Sequence, residues 1–335
     1  MTRLKRKKSV TNATERTTSH DVRFGTPELV AQYRAGRIAP GHDTIIEIGA
    51  GAGFQTAAFA KLAKKVIAVD IDAERLARGS FPENVVAIPG DALDASVIAR
   101  IKGEIVGSAA VFLDPERPAQ SKHRTLAEIQ PDIHEFLDAY GAITKDIAIE
   151  LPPFLERKEI PRGAEIEYLS VDGQLNRLTC YFGALRRDDV SVVQAPGNER
   201  IAHTGRLPGM REDLDIREAR FVLEPDAALG HAGLVVLALP AHYRKLPLGK
   251  KLNFLASKKP YGPWFRSYRI VARGDEGMIR RAMTRHPPQA VILHGALDPA
   301  QQRELLASYK PLCYGKERVH LFIGHERILA VRERQ

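Results

Sequence analysis

The sequence has 335 residues, of which 44% are hydrophobic and 27% charged. These values are ordinary for a globular protein and predict two domains, or one domain with a large appendage. The two cysteines, Cys180 and Cys313, have no Cys-x-x-Cys spacing, which argues against a zinc ribbon, an iron–sulfur site or a disulfide scaffold. The basic N-terminus has no apolar stretch behind it, and the longest uncharged run, residues 230–243, is too short to cross a bilayer. We therefore expect a cytoplasmic protein with no secretory signal and no membrane association.

Charge is unevenly distributed along the chain. Residues 1–23 carry a net charge of +5 and residues 241–335 carry +12, whereas residues 24–240 carry −8. Basic surfaces gain affinity for phosphate backbones by releasing counterions. Two basic ends that flank an acidic body therefore favour a nucleic-acid partner, and the alternative is a solvated basic face without a partner.

The first part of the chain changes from a polar arm to a helix. Residues 1–20 are basic and then rich in Ser, Thr and Asn, which predicts a disordered basic arm. Thr26 followed by Pro27 is typical of a helix N-cap with proline at the first helical position. Leu29 and Val30 then begin the buried stripe of that helix.

From residue 44 onward, short apolar strands alternate with helices. We predict strands at 44–48, 66–69, 85–88, 109–113 and 147–150, and helices at 55–62, 73–78, 95–101 and 129–139. Short apolar strands separated by helices are the signature of a parallel sheet covered on both faces.

Two β-rich runs, 165–171 and 174–182, break this rhythm. They are joined by Asp172-Gly173, a strong signal for a tight hairpin. A parallel sheet that closes with an antiparallel hairpin is not the usual layout of a nicotinamide-binding domain. We predict a loop or irregular hairpin at 190–205 and a connector at 206–218, followed by a second domain of helical and β-like stretches.

A glycine-rich loop follows the first strand. Gly49, Gly51 and Gly53 let the backbone approach a ligand, and the next helix offers unpaired N–H donors at its N-terminus. The loop does not fit the dinucleotide fingerprint G-x-G-x-x-G, because neither reading frame has a third glycine. Glu47, two residues before Gly49, would repel a pyrophosphate but suits the cationic amino-acid part of S-adenosylmethionine (SAM).

Three further carboxylates follow successive strands. Asp70, followed by Ile71, ends the second strand, where a carboxylate accepts hydrogen bonds from both ribose hydroxyls. Asp91, followed by Ala92, lies past the third strand and suits an adenine amino group, and Asp114 follows the fourth strand. Open α/β sheets bind ligands at the carboxyl ends of their strands, so this ordered series predicts one nucleoside-type site.

Over roughly residues 24–185 these motifs resemble the class I SAM-dependent methyltransferases. Residues 24–34 resemble the segment that precedes the SAM domain in trimethylguanosine-synthase-like enzymes. Residues 112–118, 169–175 and 262–270 resemble methyltransferases that carry a THUMP-like C-terminal domain.

The resemblance implies an α/β fold with a doubly wound, mostly parallel, seven-stranded Rossmann-like sheet and a smaller α+β C-terminal domain. It implies a methyltransferase domain at 21–205 and a THUMP-like RNA-binding domain at 216–335, after the arm at 1–20. SAM is the implied cofactor. Its predicted binding residues are Glu47, Gly49, Gly51, Gly53, Asp70, Ile71, Asp91 and Ala92.

The end of the fourth strand carries the predicted catalytic residues Asp114, Pro115 and Arg117. Amino-methyltransferases commonly have Asp/Asn-Pro-Pro-aromatic here, where the carboxylate or amide and the proline carbonyl bind an amino group and the aromatic ring stacks on the base. Arg117 is expected to replace the aromatic ring, because a guanidinium plane also stacks on bases or binds phosphate. The alternative is a structural salt bridge between Glu116 and Arg117. The motif indicates a nitrogen acceptor, and we expect no metal.

The basic C-terminal segment interleaves cations with aromatic residues, a combination that suits RNA backbones and bases. We expect Phe254 and Phe265 to belong to a core, and leave Trp264 open between core and stacking face. The predicted substrate-binding residues are Thr26, Lys250, Lys251, Lys258, Lys259, Trp264 and Arg266.

Three functions compete at this point. The first is a SAM-dependent N-methyltransferase that acts on a base of structured RNA, tRNA or rRNA, with guanine as the expected base. The second keeps SAM but makes the acceptor a protein or a small molecule. The third is an RNA-binding protein whose SAM domain is not catalytic, because the Asp114-Pro-Glu-Arg motif departs from the family pattern.

Overall fold

The chain folds into two compact units, residues 1–205 and 206–335. The computed structural model describes residues 17–19, 21, 25–116, 126–209, 212–249 and 253–333. Among these residues, no helix is long and apolar enough to cross a membrane.

The first unit alternates strands and helices and then turns to β-structure alone. Its elements, in chain order, are α1 (Glu28–Ile38), β1 (Thr44–Ile48), α2 (Thr56–Ala60), β2 (Lys65–Asp70), α3 (Ala73–Ala77), β3 (Val85–Pro89), α4 (Ala95–Glu104), β4 (Ala109–Leu113), α5 (Ile133–Gly141), β5 (Ile147–Leu151), β6 (Glu165–Val171), β7 (Gln174–Tyr181), β8 (Val190–Ala195) and β9 (Glu199–His203).

These strands form one sheet in the order β3-β2-β1-β4-β5-β7-β6-β8-β9. The strands β3, β2, β1, β4 and β5 are parallel, and β7 lies between β5 and β6, antiparallel to both. The predicted count of seven is wrong, because residues 190–203, predicted as a loop or irregular hairpin, form a regular hairpin that joins the sheet. Strand β8 pairs in parallel with β6, and β9 pairs with β8, so the sheet gains two strands.

Apolar side chains cover both faces of this sheet. One cluster packs α1 and α2 against β1 and β4, with Ile38, Phe59 and Phe112 fully buried. On α5, Phe136 and Tyr140 stack with ring centroids 4.3 Å apart and are also fully buried. Burial on both faces explains why the strands are short apolar runs without alternation.

The start of α1 differs from the prediction. The helix begins at Glu28, Pro27 occupies the N-cap position, and no side chain caps the helix by a hydrogen bond. Thr26 is therefore not the N-cap. It is nevertheless buried, with 7% of its surface exposed.

Buried ion pairs fasten α1 to the added hairpin. Arg37 of α1 donates to Glu165 of β6 at 3.0 Å, and its guanidinium lies 4.3 Å from the ring centroid of Tyr181. Arg200 of β9 contacts the other Glu165 oxygen at 2.6 Å, and Ser191 of β8 donates to that same oxygen at 2.6 Å. A buried carboxylate needs several such partners to offset its lost hydration. Glu165 therefore links four elements of the first unit.

The second unit is an α+β fold around one mixed sheet. Its helices and strands, in chain order, are β10 (Phe221–Pro225), α6 (Ala227–Ala232), β11 (Tyr243–Lys245), β12 (Leu255–Ser257), β13 (Phe265–Gly274), α7 (Glu276–Arg285), β14 (Ala290–Gly295), α8 (Pro299–Tyr309), β15 (Arg318–Ile323) and β16 (Arg327–Arg332). The strand order is β11-β12-β10-β13-β16-β15-β14, and the β14–β15 pair is parallel whereas the others are antiparallel.

Different structures cover the two faces of this second sheet. Helices α7 and α8 pack on one face, where Leu321 and Leu329 are buried. The segment around Leu246 and Phe254 packs on part of the other face, against Tyr268 and neighbouring residues. Alternation along β15 and β16 places successive side chains on opposite faces, so each strand contributes to both layers.

Candidate functional site: the carboxyl ends of β1, β2 and β4

The glycine loop is tied to the end of β2. The amide of Gly51 donates to Oδ2 of Asp70 at 2.6 Å, and the amide of Asp72 donates to Oδ1 at 2.9 Å. Asp70 is 5% exposed, and this burial raises the pKa of its carboxyl, opposed by the two amide hydrogen bonds. The loop and the predicted ribose-binding carboxylate are therefore one preformed structure.

The same loop lies directly against the end of β4. Gly49 has a φ of +80°, and a Cβ on it would lie 2.2 Å from the carbonyl oxygen of Asp114. A side chain at this position would force the loop away from Asp114. Above Gly51, in contrast, the nearest heavy atom to an added Cβ is Cδ of Arg75 at 3.5 Å, so the backbone there has room beside it. This geometry brings the predicted cofactor loop and the predicted catalytic strand end together.

Glu47 supplies an unsatisfied carboxylate at the same place. Its side chain lies in β1 and is 1% exposed, and Oε2 has no hydrogen-bond partner among the described residues. Burial raises the pKa of Glu47 to about 8, the carboxylates of Asp114 and Asp70 add to the shift, and Arg34 opposes it. A cation placed beside Oε2 would remove this electrostatic cost. The orphaned oxygen therefore fits the ammonium group of the SAM amino-acid part.

The remaining predicted cofactor residues line the edge of β2 and β3. Ile71 follows Asp70 and is 70% exposed, which leaves an apolar side chain in solvent beside the carboxylate. Asp91 is exposed, and its Oδ1 accepts from the amide of Leu93 at 2.9 Å. Ala92 is buried, and its carbonyl accepts from the hydroxyl of Tyr140 at 3.0 Å. An apolar contact, an acceptor and a fixed backbone are the features an adenosine group requires.

Two arginines lie within electrostatic range of Asp114. Arg34 of α1 pairs with Glu150 of β5 and lies 4.5 Å from the ring centroid of Phe112, and Arg177 of β7 contacts Glu150 at 2.8 Å. Burial lowers the pKa of Arg34 to about 10 and also lowers that of Arg177, while the nearby carboxylate of Asp114 opposes both shifts. The attraction between Asp114 and these two cations is mutual.

Sequence reasoning missed Arg34, Glu150 and Arg177. A signal for Arg34 did exist, since it lies four residues after Val30 on the buried stripe of α1. A charged residue on such a stripe needs a buried partner, but the sequence did not say which carboxylate provides it. Glu150 and Arg177 lie on antiparallel strands and carried no motif.

The structure describes Pro115 and Glu116 of the predicted catalytic motif. Pro115 is partly buried at the end of β4, and Glu116 forms an isolated antiparallel bridge with Gln130. The carboxylate of Glu116 pairs with Arg75 of α3. Arg117 lies outside the described residues. Its predicted stacking role and the alternative salt bridge with Glu116 therefore stay predictions.

A polar anchor holds the N-terminal segment near the cofactor loop. Arg78 contacts both oxygens of Asp21, at 2.9 and 3.0 Å, and these bonds hold the pKa of Asp21 well below its usual range. The amide of Gly25 donates to the Asp21 carbonyl at 2.7 Å, and a Cβ at Gly25 would lie 2.3 Å from the ring of Phe54. Gly25 is therefore packed against the loop that follows Gly53.

In the second unit, the predicted RNA-binding residues differ in how they are engaged. Lys258 and Lys259 are exposed, and Lys258 pairs with Glu218 at 2.7 Å. Arg266 lies 3.6 Å from Glu224. Trp264 is buried with 9% exposed, which favours the core alternative over a face for base stacking. Lys250 and Lys251 lie outside the described residues.

Other reactive groups do not add to this site. Cys180 is fully buried in β7, and burial raises the pKa of its thiol to about 12, so it is not a nucleophile at neutral pH. Across the described part of the chain, no group of three or more His, Cys, Asp or Glu side chains is arranged to hold a metal ion.

Comparison with solved structures identifies the architecture. A protein assigned as a methyltransferase from Porphyromonas gingivalis W83 superposes on 95% of this chain and 83% of its own, with a TM-score of 0.72 and 14% sequence identity. The chain has a methyltransferase fold. The expectation of an α/β methyltransferase fold is thus confirmed.

Sequence comparison gives a narrower match. A protein assigned as ribosomal RNA small subunit methyltransferase A from Pyrobaculum aerophilum is 53% identical over 68 residues. The match covers 19% of this chain and 29% of that protein, so the chain spans less than a third of this curated relative. No protein-family profile matches the chain. The THUMP-like character of the second unit therefore stays a prediction.

Proposed function

We propose that this protein is a SAM-dependent N-methyltransferase that acts on a base of structured RNA. The observation that carries the proposal is the junction of the glycine loop, Asp70, Glu47 and Asp114 at one edge of the sheet. Gly49 packs on the Asp114 carbonyl, and Gly51 donates a hydrogen bond to Asp70, so the residues proposed for cofactor and acceptor lie next to each other.

The cofactor half of the site fits SAM better than a dinucleotide. Glu47 would hold the amino-acid end through its unpartnered Oε2, and Asp70 would hold the ribose hydroxyls. Ile71 and Asp91 would contact the adenine. SAM supplies an electrophilic methyl group on a positively charged sulfonium. The buried carboxylate of Glu47 suits this cationic cofactor, whereas it would repel the pyrophosphate of a dinucleotide.

The acceptor half of the site centres on Asp114 and Pro115. Methyl transfer is an in-line displacement, so most of the catalysis comes from placing the acceptor nitrogen with its lone pair directed at the methyl carbon. Asp114, which lies within electrostatic range of Arg34 and Arg177, would accept a hydrogen bond from an amino group and orient it. The Pro115 carbonyl would accept a second. Arg117 is proposed as the stacking or phosphate-binding group.

RNA is proposed as the substrate because of two independent observations. The relative from Pyrobaculum aerophilum is assigned to ribosomal RNA, and the basic charge of this chain is concentrated in residues 1–23 and 241–335. Guanine is the proposed base, with its amino group held by Asp114 and the Pro115 carbonyl. Lysines 250, 251, 258 and 259 with Arg266 are proposed to contact the RNA backbone.

The deciding experiment follows the label from tritiated SAM. Purified protein is incubated with total RNA, total protein or small-molecule extract from a strain that lacks the gene, and the RNA product is digested for nucleoside mass spectrometry. Label in a methylated guanosine supports the full proposal. Label in a methylated adenosine would make adenine the acceptor base in place of guanine. Label only in protein or small molecules, or no label with intact SAM binding, overturns it.

A further inference from the structure

A second charged feature lies in the C-terminal unit, apart from the segment with the predicted lysines. A depression of about 720 Å³ is lined by Arg266, Lys316, Arg318, Arg332, His320 and Ile292. Glu317 and Glu333 also line it, so the net formal charge of the lining is positive. It lies on the sheet face that α7 and α8 do not cover.

Strand register explains why these side chains converge. Tyr268 pairs with Arg332 across β13 and β16, and on the same face Arg318 pairs with Ala290 and His320 with Ile292 across β14 and β15. Side chains of neighbouring strands lie next to each other when their positions are in register. Residues from four strands, distant in sequence, thus form one patch.

The rim of the depression is electrostatically unsatisfied. Lys316, Arg318 and Arg332 are exposed, and none of them has an ion-pair partner within the described part of the chain. Of the two carboxylates, Glu333 is already engaged by Arg269 at 2.9 Å. Like charges gathered in one concavity repel each other until an anion enters.

A pair of uncharged histidines, His294 and His320, lies at the floor of the depression. His294 and His320 share a 2.8 Å contact between Nε2 and Nδ1, and their rings are stacked with centroids 5.1 Å apart. Burial, the neighbouring His294 and Arg332 lower the pKa of His320 to about 4, so this pair is uncharged at pH 7. Nε2 of His320 makes no hydrogen bond to a described residue. When Nε2 of His294 donates a hydrogen bond to Nδ1 of His320, the neutral His320 ring carries its proton on Nε2. Nε2 of His320 is then a hydrogen-bond donor.

We propose that this depression, with Arg318 and Arg332 at its rim and His320 on its floor, binds the phosphodiester backbone of the RNA substrate. The inference rests on the proposed function and adds to it a contact surface on β14, β15 and β16. Planar guanidinium groups match phosphate oxygens in bidentate geometry, which an ammonium group does not. Ile292, which is 37% exposed, and the His320 ring add apolar and flat surfaces that suit a ribose or base. An acidic polypeptide would use the charge but not these surfaces.

The test compares two charge reversals of equal size in the full-length protein. Arg318→Glu with Arg332→Glu changes the depression, and Arg281→Glu with Arg285→Glu changes two exposed positions of α7, which packs on the other face. Binding of a fluorescent transcribed tRNA and of a transcribed small-subunit rRNA fragment is titrated with salt. The first variant should lose roughly tenfold or more in affinity at 0.1 M salt and about 1.4–1.8 in the slope of log K against log salt, which corresponds to two phosphate contacts. The control should stay within about twofold of wild type at that salt, because it removes no contact.

Two further measurements separate the possible failures. Arg318→Lys with Arg332→Lys keeps the charge and should keep most of the slope while losing part of the affinity, which a misfolded variant would not do. Equal slopes for both reversals, or polyglutamate competing as well as RNA at equal charge, would overturn the inference. If wild type binds RNA through the depression but transfers no methyl group to it, the proposed function fails and the binding surface stands. If wild type binds no RNA, both fail.

Discussion

The amide of Gly51 donates a 2.6 Å hydrogen bond to Asp70, a residue that lies nineteen positions further along the chain. This bond joins the loop after β1 to the end of β2 within the protein's own hydrogen-bond network. A preformed loop does not have to be ordered when the ligand binds, which lowers the entropic cost of binding.

Replacing Asp70 is expected to weaken SAM binding. In Asp70→Ala the ribose loses its acceptor and Gly51 loses its partner, which should cost on the order of 1.5–3 kcal/mol, the range for a hydrogen bond to a charged group. Isothermal calorimetry with SAM measures the loss. Asp138→Ala, at an exposed position of α5, is the matched control and should bind like wild type. Unchanged affinity in Asp70→Ala, or NAD binding more tightly than SAM, would contradict the assignment.

Glu47 should make the first unit less stable as the pH rises. Its carboxyl has a pKa of about 8 when folded and an ordinary value of 4.5, so between these values the folded state binds more protons than the unfolded state. Stability is then lost with increasing pH, by up to about 1.4 kcal/mol per pH unit.

Glu47→Gln removes this proton linkage, so its stability relative to wild type should increase from pH 5 to pH 8. Urea unfolding followed by circular dichroism measures the difference. Fluorescence of Trp264, the one tryptophan of the sequence, reports the second unit and serves as the internal control. A difference that is constant across this range would show that the Glu47 carboxyl titrates normally.

Asp114 is expected to be needed for turnover but not for cofactor binding. Asp114→Ala should abolish or greatly reduce methyl transfer, because the acceptor amino group loses the carboxylate that orients it, while the affinity for SAM stays nearly intact. Transfer of tritium from SAM to RNA and calorimetry provide the two readouts. Turnover at the wild-type rate would make Asp114 structural and would remove the argument for a nitrogen acceptor.

Arg34 should contribute strongly to the stability of the first unit. Arg34→Met leaves Glu150 with one arginine partner in place of two, and removing one member of a buried pair costs about 3–5 kcal/mol. Combining Arg34→Met with Glu150→Gln should recover part of the loss, because the uncompensated charge is gone. Arg100→Met, at an exposed position of α4, should change stability by less than about 0.5 kcal/mol. Denaturant midpoints that match this control would show that the pair adds nothing.

The two basic ends should contribute unequally to RNA binding. Reversing Lys250, Lys251, Lys258 and Lys259 to Glu should weaken binding and reduce its salt dependence, with SAM affinity unchanged. Lys258 already pairs with Glu218, so its share should be smaller than that of Lys259. Deleting residues 1–20 should cost less, because an arm predicted to be disordered would lose conformational entropy on binding. Salt-titrated binding of a transcribed tRNA makes the comparison, and unchanged slopes in both variants would favour a protein or small-molecule acceptor.

Local pattern in the sequence was enough to predict most elements of the first unit and the position of its candidate site. The runs at 44–48, 109–113 and 165–171 are strands with the predicted bounds, because short apolar segments between helices leave few other ways to bury them. Glu47, Asp70 and Asp114 could be placed together because parallel strands bring their carboxyl ends to one edge.

Only the tertiary structure decided which residues that are distant in the sequence become neighbours. Hydrophobic periodicity reports which side of an element is buried but not what it is buried against, so the pairing of Arg34 with Glu150 and Arg177 could not be read from the chain. The parallel pairing of β8 with β6, which enlarges the sheet, has the same origin. The patch around His320 also exists only because four strands come into register, and strand register is a property of the folded sheet.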